Sequence, residues 1–444
     1  MRRGVWLVFL IVWGGVAIGV AEAARLNVFV NVEHPMRRDA GFVVKELRLG
    51  GSEGTDVPLE LEKPKVSTKA PFGQSLLTSA EVPEGRYSAV SLKLSEIYIG
   101  EKRISQERGI GISVNLELKE GESRCLFLVW DVQGSQREDG FVPSLYALPQ
   151  RRPLRGETVY VTCDGINTLF AIRTDRNRVV ASLATKATPR QLVALPRGDR
   201  LYVLCEESRS LLSVEMSTFR VIDSLLLPMV QRPRFLTLID RGIVAITDPT
   251  NDQIFLVDAT TGRLVKSKRL GHHPSDLFFW TRGRSLFVSS TGEQKVYQLN
   301  EDLITERVYH TGSSPRGIWV ERERLYVADQ RSGTISVFDL RQGRLVGRLR
   351  CGPRPMKIFG VRSRLYITDA QQGILSFLWP GQMSISKRIK IGGAFYEVVA
   401  CKKRGWLYIV DRKEKRIVVV DALSFKEKGS IELGGVPFGL AVGA

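Results

Sequence analysis

A chain of 444 residues with 43% hydrophobic and 25% charged side chains can build more than one packed core, which excludes a disordered polyelectrolyte. Five cysteines exclude a disulfide-built scaffold, because an odd number cannot all pair within one chain. The formal net charge of +18 points to anionic partners. Nucleic acid, lipid head groups and acidic glycans would all be attracted, without specificity and with strong salt dependence.

The first element in chain order is a leader. Arg2 and Arg3 precede an apolar run from Val5 to Val20, and Ala21-Glu22-Ala23 supplies small residues for cleavage. This is the pattern of a secretory signal peptide spanning 1–23. An uncleaved anchor would need a longer run, about 20 residues. Cleavage near Ala23 predicts a periplasmic or secreted protein with no transmembrane span left.

Residues 24–150 follow. Runs such as Leu26–Val32, Ala89–Leu94, Ile112–Leu118 and Cys125–Trp130 alternate in polarity, as strands with one buried face do. Turn-rich stretches at Gly50–Thr55 and Pro83–Arg86 separate them. A small antiparallel β-sandwich is predicted. Gln150–Gly156, with Arg151, Arg152, Pro153 and Arg155, reads as a linker.

Residues 151–444 carry an internal repeat. A proline recurs at Pro189, Pro233, Pro274, Pro315 and Pro355, is replaced by Phe395, and returns at Pro437, at intervals of 44, 41, 41, 40, 40 and 42 residues. Each copy holds four short runs rich in Val, Ile, Leu, Phe and Tyr between turn residues, which describes one four-stranded propeller blade. Strands of the Leu-Tyr-Val type start near Val159, Leu201, Ile243, Leu286, Leu325, Leu365 and Leu407, so the ring has seven blades. The first of these has no post-proline strand before it, and the last post-proline strand (438–442) has no partner after it. The two complete each other. The predicted fold is therefore all-β: a seven-bladed β-propeller closed by the C-terminal strand and preceded by the sandwich.

Charge is unevenly shared. Residues 24–150 hold 16 basic and 18 acidic side chains, so residues 151–444 carry +19. Many of these cations, such as Arg341, Arg344, Arg348 and Lys413, fall in turns and outer strands, where solvation alone would explain them.

A site is expected where the proline loops open onto the channel mouth. The residues just after the proline position are Arg190, Arg234, Ser275, Arg316, Met356, Tyr396 and Phe438. The next ring is Gln191, Phe235, Asp276, Gly317, Lys357, Glu397 and Gly439. Strand alternation allows only one of the rings to face inward. The candidate ligand-binding residues are Arg190, Arg234, Arg316, Lys357, Tyr396 and Phe438, an anion-binding side opposite an aromatic one. The competing expectation is that the arginines pair with loop aspartates and serve only the fold.

At the end of the Leu-Tyr-Val strand stand Cys163, Cys205, Asp248, Ser290, Asp329, Asp369 and Asp411. Recurrence at one blade position predicts that Asp and Ser here hold the following turn. Asp258, Asp339 and Asp421 are expected to do the same after the third strand, and the cysteines to be buried small hydrophobes. His272, His273 and His310 fall in two consecutive inter-blade loops and are the weak candidates for a metal. No motif for a metal, haem or nucleotide is present, and no cofactor is expected.

The repeats at 325–339, 365–377 and 406–422, each leading to a Gly-x-x-Pro-like loop, resemble the YVTN-type seven-bladed propellers of bacterial envelopes and archaeal surfaces. That group is similar in turn to the haem-carrying propeller of nitrite reductases and to seven-bladed lactonases. Cys163 stands where the family's usual Asn follows Tyr-Val-Thr. The resemblance implies a non-catalytic binding or scaffold protein of the envelope, whose partner is an envelope protein or an anionic or polyanionic ligand. The alternative is a lactonase-like hydrolase, or a haem- or metal-bearing oxidoreductase, with its site at the same mouth.

Overall fold

In a computed structural model the described residues are 23–443, apart from 52–53, 105–106, 138–139, 151–153, 155, 197–198, 241 and 402. The apolar leader and most of the expected linker lie outside the described residues. Two short 3-10 turns aside, every regular element described is a β-strand.

Residues 24–149 form two packed sheets. The first has the strand order 144–149, 123–131, 24–33, 74–82; the second is built on 40–51 and 85–99. Strands 24–33 and 123–131 run parallel, because the chain crosses through the second sheet between them. Leu26, Val28, Leu128 and Trp130 meet Phe42, Leu47, Leu92 and Leu94 of the second sheet in one core.

The first sheet departs from the expectation of one buried face. The intervening residues Phe29, Leu76, Cys125 and Phe127 enter a second core, shared with Val159, Phe170, Tyr408 and Ile417 of the propeller. Water is excluded from both faces, so these strands read as continuous apolar runs.

The remaining described strands make seven four-stranded antiparallel sheets. Blade 1 is 436–443, 158–164, 168–173 and 178–184 from the axis outward, so the C-terminal strand is its innermost. Blades 2 to 7 begin at Pro189, Phe235, Pro274, Pro315, Pro355 and Phe395, each running outward in chain order. Each inner strand touches the next, and 436–443 touches both 189–194 and 395–401.

The repeat's tyrosine is a wedge between blades. Tyr160, Tyr202, Tyr326, Tyr366 and Tyr408 are buried and pack on the core of the following blade. A buried hydroxyl needs a partner. Tyr366 donates to Ala422 O at 2.8 Å and Tyr408 to Asn177 Oδ1, while Tyr326 accepts from Gly381 N at 2.8 Å. Each of these partners belongs to the next blade.

Two blades differ from the rest in having their outer strands covered by the sandwich. On blade 1, Gln74 and Gln150 bond the backbone of Val179 and Ser182, and Arg178 donates to Phe72 O and Val32 O. On blade 7, the 71–73 turn and strand 74–82 lie against 427–432.

The candidate anion site at the channel mouth

The expected choice between two rings does not arise, because both rings line the mouth. In every blade but blade 3 the inner strand is irregular just after the proline position. Pro315 faces Asp329 and Ile318 faces Val327, so Arg316 and Gly317 together oppose one residue. The same two-against-one bulge holds Arg190/Gln191, Ser275/Asp276, Met356/Lys357, Tyr396/Glu397 and Phe438/Gly439. A bulge breaks the two-residue alternation and turns neighbouring side chains to the same side.

Close approach of neighbouring bulges explains two glycines. A Cβ at Gly317 would lie 2.6 Å from Met356 O, and one at Gly439 2.6 Å from Arg190 O.

The deeper ring closes the channel with charge. Lys357 Nζ lies 2.8 Å from Asp276 Oδ1 and 3.6 Å from Glu397 Oε2, while Gln191 donates to Glu397 at 3.2 Å. Lys357 of blade 6 thus reaches past blade 5 to blade 4. Burial opposes its charge, yet Asp276 and Glu397 raise its pKa above the ordinary lysine value. Burial pushes Glu397 up as well, against the pull of Lys357.

Above this floor is a cavity of about 130 Å³, lined by Arg234, Arg316, Arg354 and Arg412 together with Phe235, Met356, Tyr396 and Phe438. Among the described residues no carboxylate lies within 4.0 Å of the Arg234, Arg316 or Arg354 guanidinium. Arg316 donates to Ser275 Oγ at 2.8 Å. The Nε atoms of Arg234, Arg316 and Arg412 are buried without an acceptor. Burial, with Arg190 beside it, holds Arg234 below the ordinary arginine value; burial and Arg234 do the same to Arg316.

Five of the six expected residues line this cavity: Arg234, Arg316, Lys357, Tyr396 and Phe438. Arg190 does not. Its guanidinium is taken by Asp164 at 2.5 Å and by Glu206, and it lies over the Phe438 ring at 4.9 Å. Arg190 is thus paired with loop acids, whereas Arg234 and Arg316 are not, among the described residues. Arg412 is shared between Asp164, at 3.7 Å, and the faces of Tyr396 and Phe438.

Sequence reasoning missed Arg354 and Arg412. Arg412 belongs to a third ring, the residue after the Leu-Tyr-Val strand: Asp164, Glu206, Pro249, Thr291, Gln330, Ala370 and Arg412. Aligning that position would have shown both the acids that capture Arg190 and the extra cation.

Three of the strand-end aspartates bond loop amides, while Asp329 accepts from the Thr334 hydroxyl at 3.0 Å and the Ser336 hydroxyl at 2.6 Å. Asp248 accepts from Thr250 N and Gln231 N, Asp369 from Gln371 N and Arg354 N, and Asp411 from Ala394 N. Asp258, Asp339 and Asp421 likewise accept from Thr260, Gln342 and Ser424 amides. All five cysteines are buried and unpaired. His272 bonds Asp252 at 2.9 Å and His310 ends an outer strand; no group of three or more metal-ligating side chains occurs among the described residues.

No family model matches the chain, and no curated protein does. Solved structures do. A protein of unknown function from Desulfotomaculum acetoxidans aligns with TM-score 0.58 and 12% identity over 65% of this chain and 99% of its own. A putative 6-phosphogluconolactonase from Bacteroides fragilis gives 0.56, 14%, 65% and 98%. The periplasmic gluconolactonase of Pseudomonas aeruginosa gives 0.56, 16%, 65% and 99%. At these identities the likeness establishes the β-propeller fold.

Proposed function

We propose that this chain is an exported envelope propeller of the YVTN type that binds a small anionic ligand at its channel mouth. The observation that carries the reading is that Arg234, Arg316 and Arg412 line one cavity, each with a buried Nε that has no protein acceptor. A buried donor left unbonded costs about 1–3 kcal/mol, and an anion supplies several acceptors at once. The leader-like Val5–Val20 run and the repeat pattern support export and the envelope setting.

Titration calorimetry against mono-, di- and tricarboxylates, phosphate and sulfate tests the reading. One anion should bind in a way that persists at 0.5 M salt and disappears in Arg234→Ala/Arg316→Ala. If anions bind only at low salt, and equally to the variant, the mouth is not a site.

A second reading is a hydrolase of lactone type. It is favoured by Glu397, a buried floor carboxylate whose pKa is raised into the direction a general acid or base requires. The Pseudomonas aeruginosa gluconolactonase shares the fold. Turnover of sugar lactones by the wild type, lost in Glu397→Gln, would replace the binding reading.

A further inference from the structure

One stretch of the propeller is strongly cationic in sequence, although its Arg354 and Lys357 belong to the channel mouth and its Arg341 pairs with Glu323. Residues 340–395 contain 11 Lys and Arg and a single acid, Asp369. Asp369 is buried in its turn and contributes nothing to the surface there. The outer strands of this arc are 344–350 of blade 5 and 387–390 of blade 6, and most of their residues are exposed.

The cations of these strands are Arg344, Arg348, Arg350, Lys387, Arg388 and Lys390. Among the described residues none has a carboxylate within 4.0 Å. Some exposed cations elsewhere are paired, as Lys266 is with Asp302 and Arg284 with Glu301.

Apolar side chains share this edge. Leu345, Val346, Trp379 and Met383 are 39%, 42%, 38% and 41% exposed. The segment 379–386 folds back over blade 5. Arg324 donates to Gly381 O at 2.9 Å, and a Cβ at Gly347 would lie 2.8 Å from Met383 Cε. Met383 therefore sits over the 344–350 strand, joining the two blades into one patch. Trp379 is held between Arg364, 4.9 Å from its ring, and Phe377 at 5.2 Å.

We propose that the blade 5–6 outer edge docks on an anionic lipid surface, its cations meeting head groups and Trp379, Met383, Leu345 and Val346 entering the interface. An apolar centre rimmed by cations fits a charged bilayer, where each Lys or Arg near the surface contributes and an exposed tryptophan prefers the interfacial layer. An acidic polypeptide would answer the cations alone, whereas a bilayer interface takes both the cations and the exposed apolar side chains between them.

Co-sedimentation of the purified chain with phosphatidylcholine vesicles, with and without 30% phosphatidylglycerol, tests this. Binding should require the anionic lipid. It should fall about 100-fold in Lys387→Glu/Arg388→Glu/Lys390→Glu. Leu345→Ser/Met383→Ser should retain low-salt binding and lose what persists at 0.5 M salt. Arg263→Glu/Lys266→Glu/Arg269→Glu on blade 3 is the control for total charge and should bind as the wild type does; circular dichroism confirms that each variant folds. Equal binding to neutral vesicles overturns the proposal. So does an equal loss in the blade 3 control, or binding to polyglutamate without binding to vesicles.

Discussion

Lys357 is the residue on which the mouth depends, since among the described residues it alone lies within 4.0 Å of both Asp276 and Glu397. Replacing it with Met leaves Asp276 and Glu397 close together in a largely buried site without their cation, so Lys357→Met should cost about 3–5 kcal/mol in urea unfolding at pH 7. The loss should shrink at pH 5, where a carboxylate of the pair can hold a proton. At high pH the sign is set by the raised pKa of Lys357. Stability from its charge is complete below the unfolded value of 10.5 and is lost as pH rises through the folded one. The wild-type urea midpoint should therefore begin to converge on that of Lys357→Met as pH rises above 10.5. Constant separation would mean that the ammonium contributes nothing.

Arginine positions were legible only in part. Arg190, Arg234 and Arg316 occupy one repeat position, yet only Arg190 has acids at Asp164 and Glu206 to either side. Around Arg316 the corresponding residues are Thr291 and Gln330, which cannot neutralise it.

Elements were more legible than side-chain directions. A forty-residue period and its four apolar runs reveal blades, because each blade must bury both faces against its neighbours. The bulge after the proline position escaped the reading: it consists of backbone pairing, and nothing in Arg-Gln, Ser-Asp or Tyr-Glu marks it. The second buried face of strands 24–33 and 123–131 was visible in retrospect as the unbroken runs Val28-Phe29-Val30 and Leu126–Trp130.

The tyrosine wedge carries an element-scale prediction. Tyr366→Phe removes one buried hydrogen bond to Ala422 and should cost about 1 kcal/mol. Tyr366→Ala also empties the space against Phe377 and Phe425 and should cost about 3–5 kcal/mol. Urea midpoints at constant m-value check both. A similar cost for the two variants would place the whole contribution in the hydroxyl.

At the scale of the molecule, the ring has a seam where the two parts of the chain meet in blade 1. Strand 436–443 fastens it from inside by pairing with 158–164. The sandwich fastens it from outside. It binds strand 178–184 on the N-terminal side of the seam through Gln74 and Gln150, and lies against 427–432 on the C-terminal side. One apolar cluster runs through all three parts, from Phe29 and Phe127 to Phe170 and Ile417. Two fasteners of different kinds should fail differently. Removing 436–443 leaves 158–164 with an unpaired inner edge and opens the ring, so the truncated chain should lose cooperative unfolding and aggregate. Phe29→Ala/Phe127→Ala keeps the inner strand and weakens only the outer clasp. That variant should still unfold cooperatively, at a midpoint lower by about 4–8 kcal/mol in free energy, with earlier proteolysis between the sandwich and blade 1. If the double variant instead unfolds in two separate transitions, the sandwich is an independent unit resting on the propeller. In that case closure rests on the C-terminal strand alone.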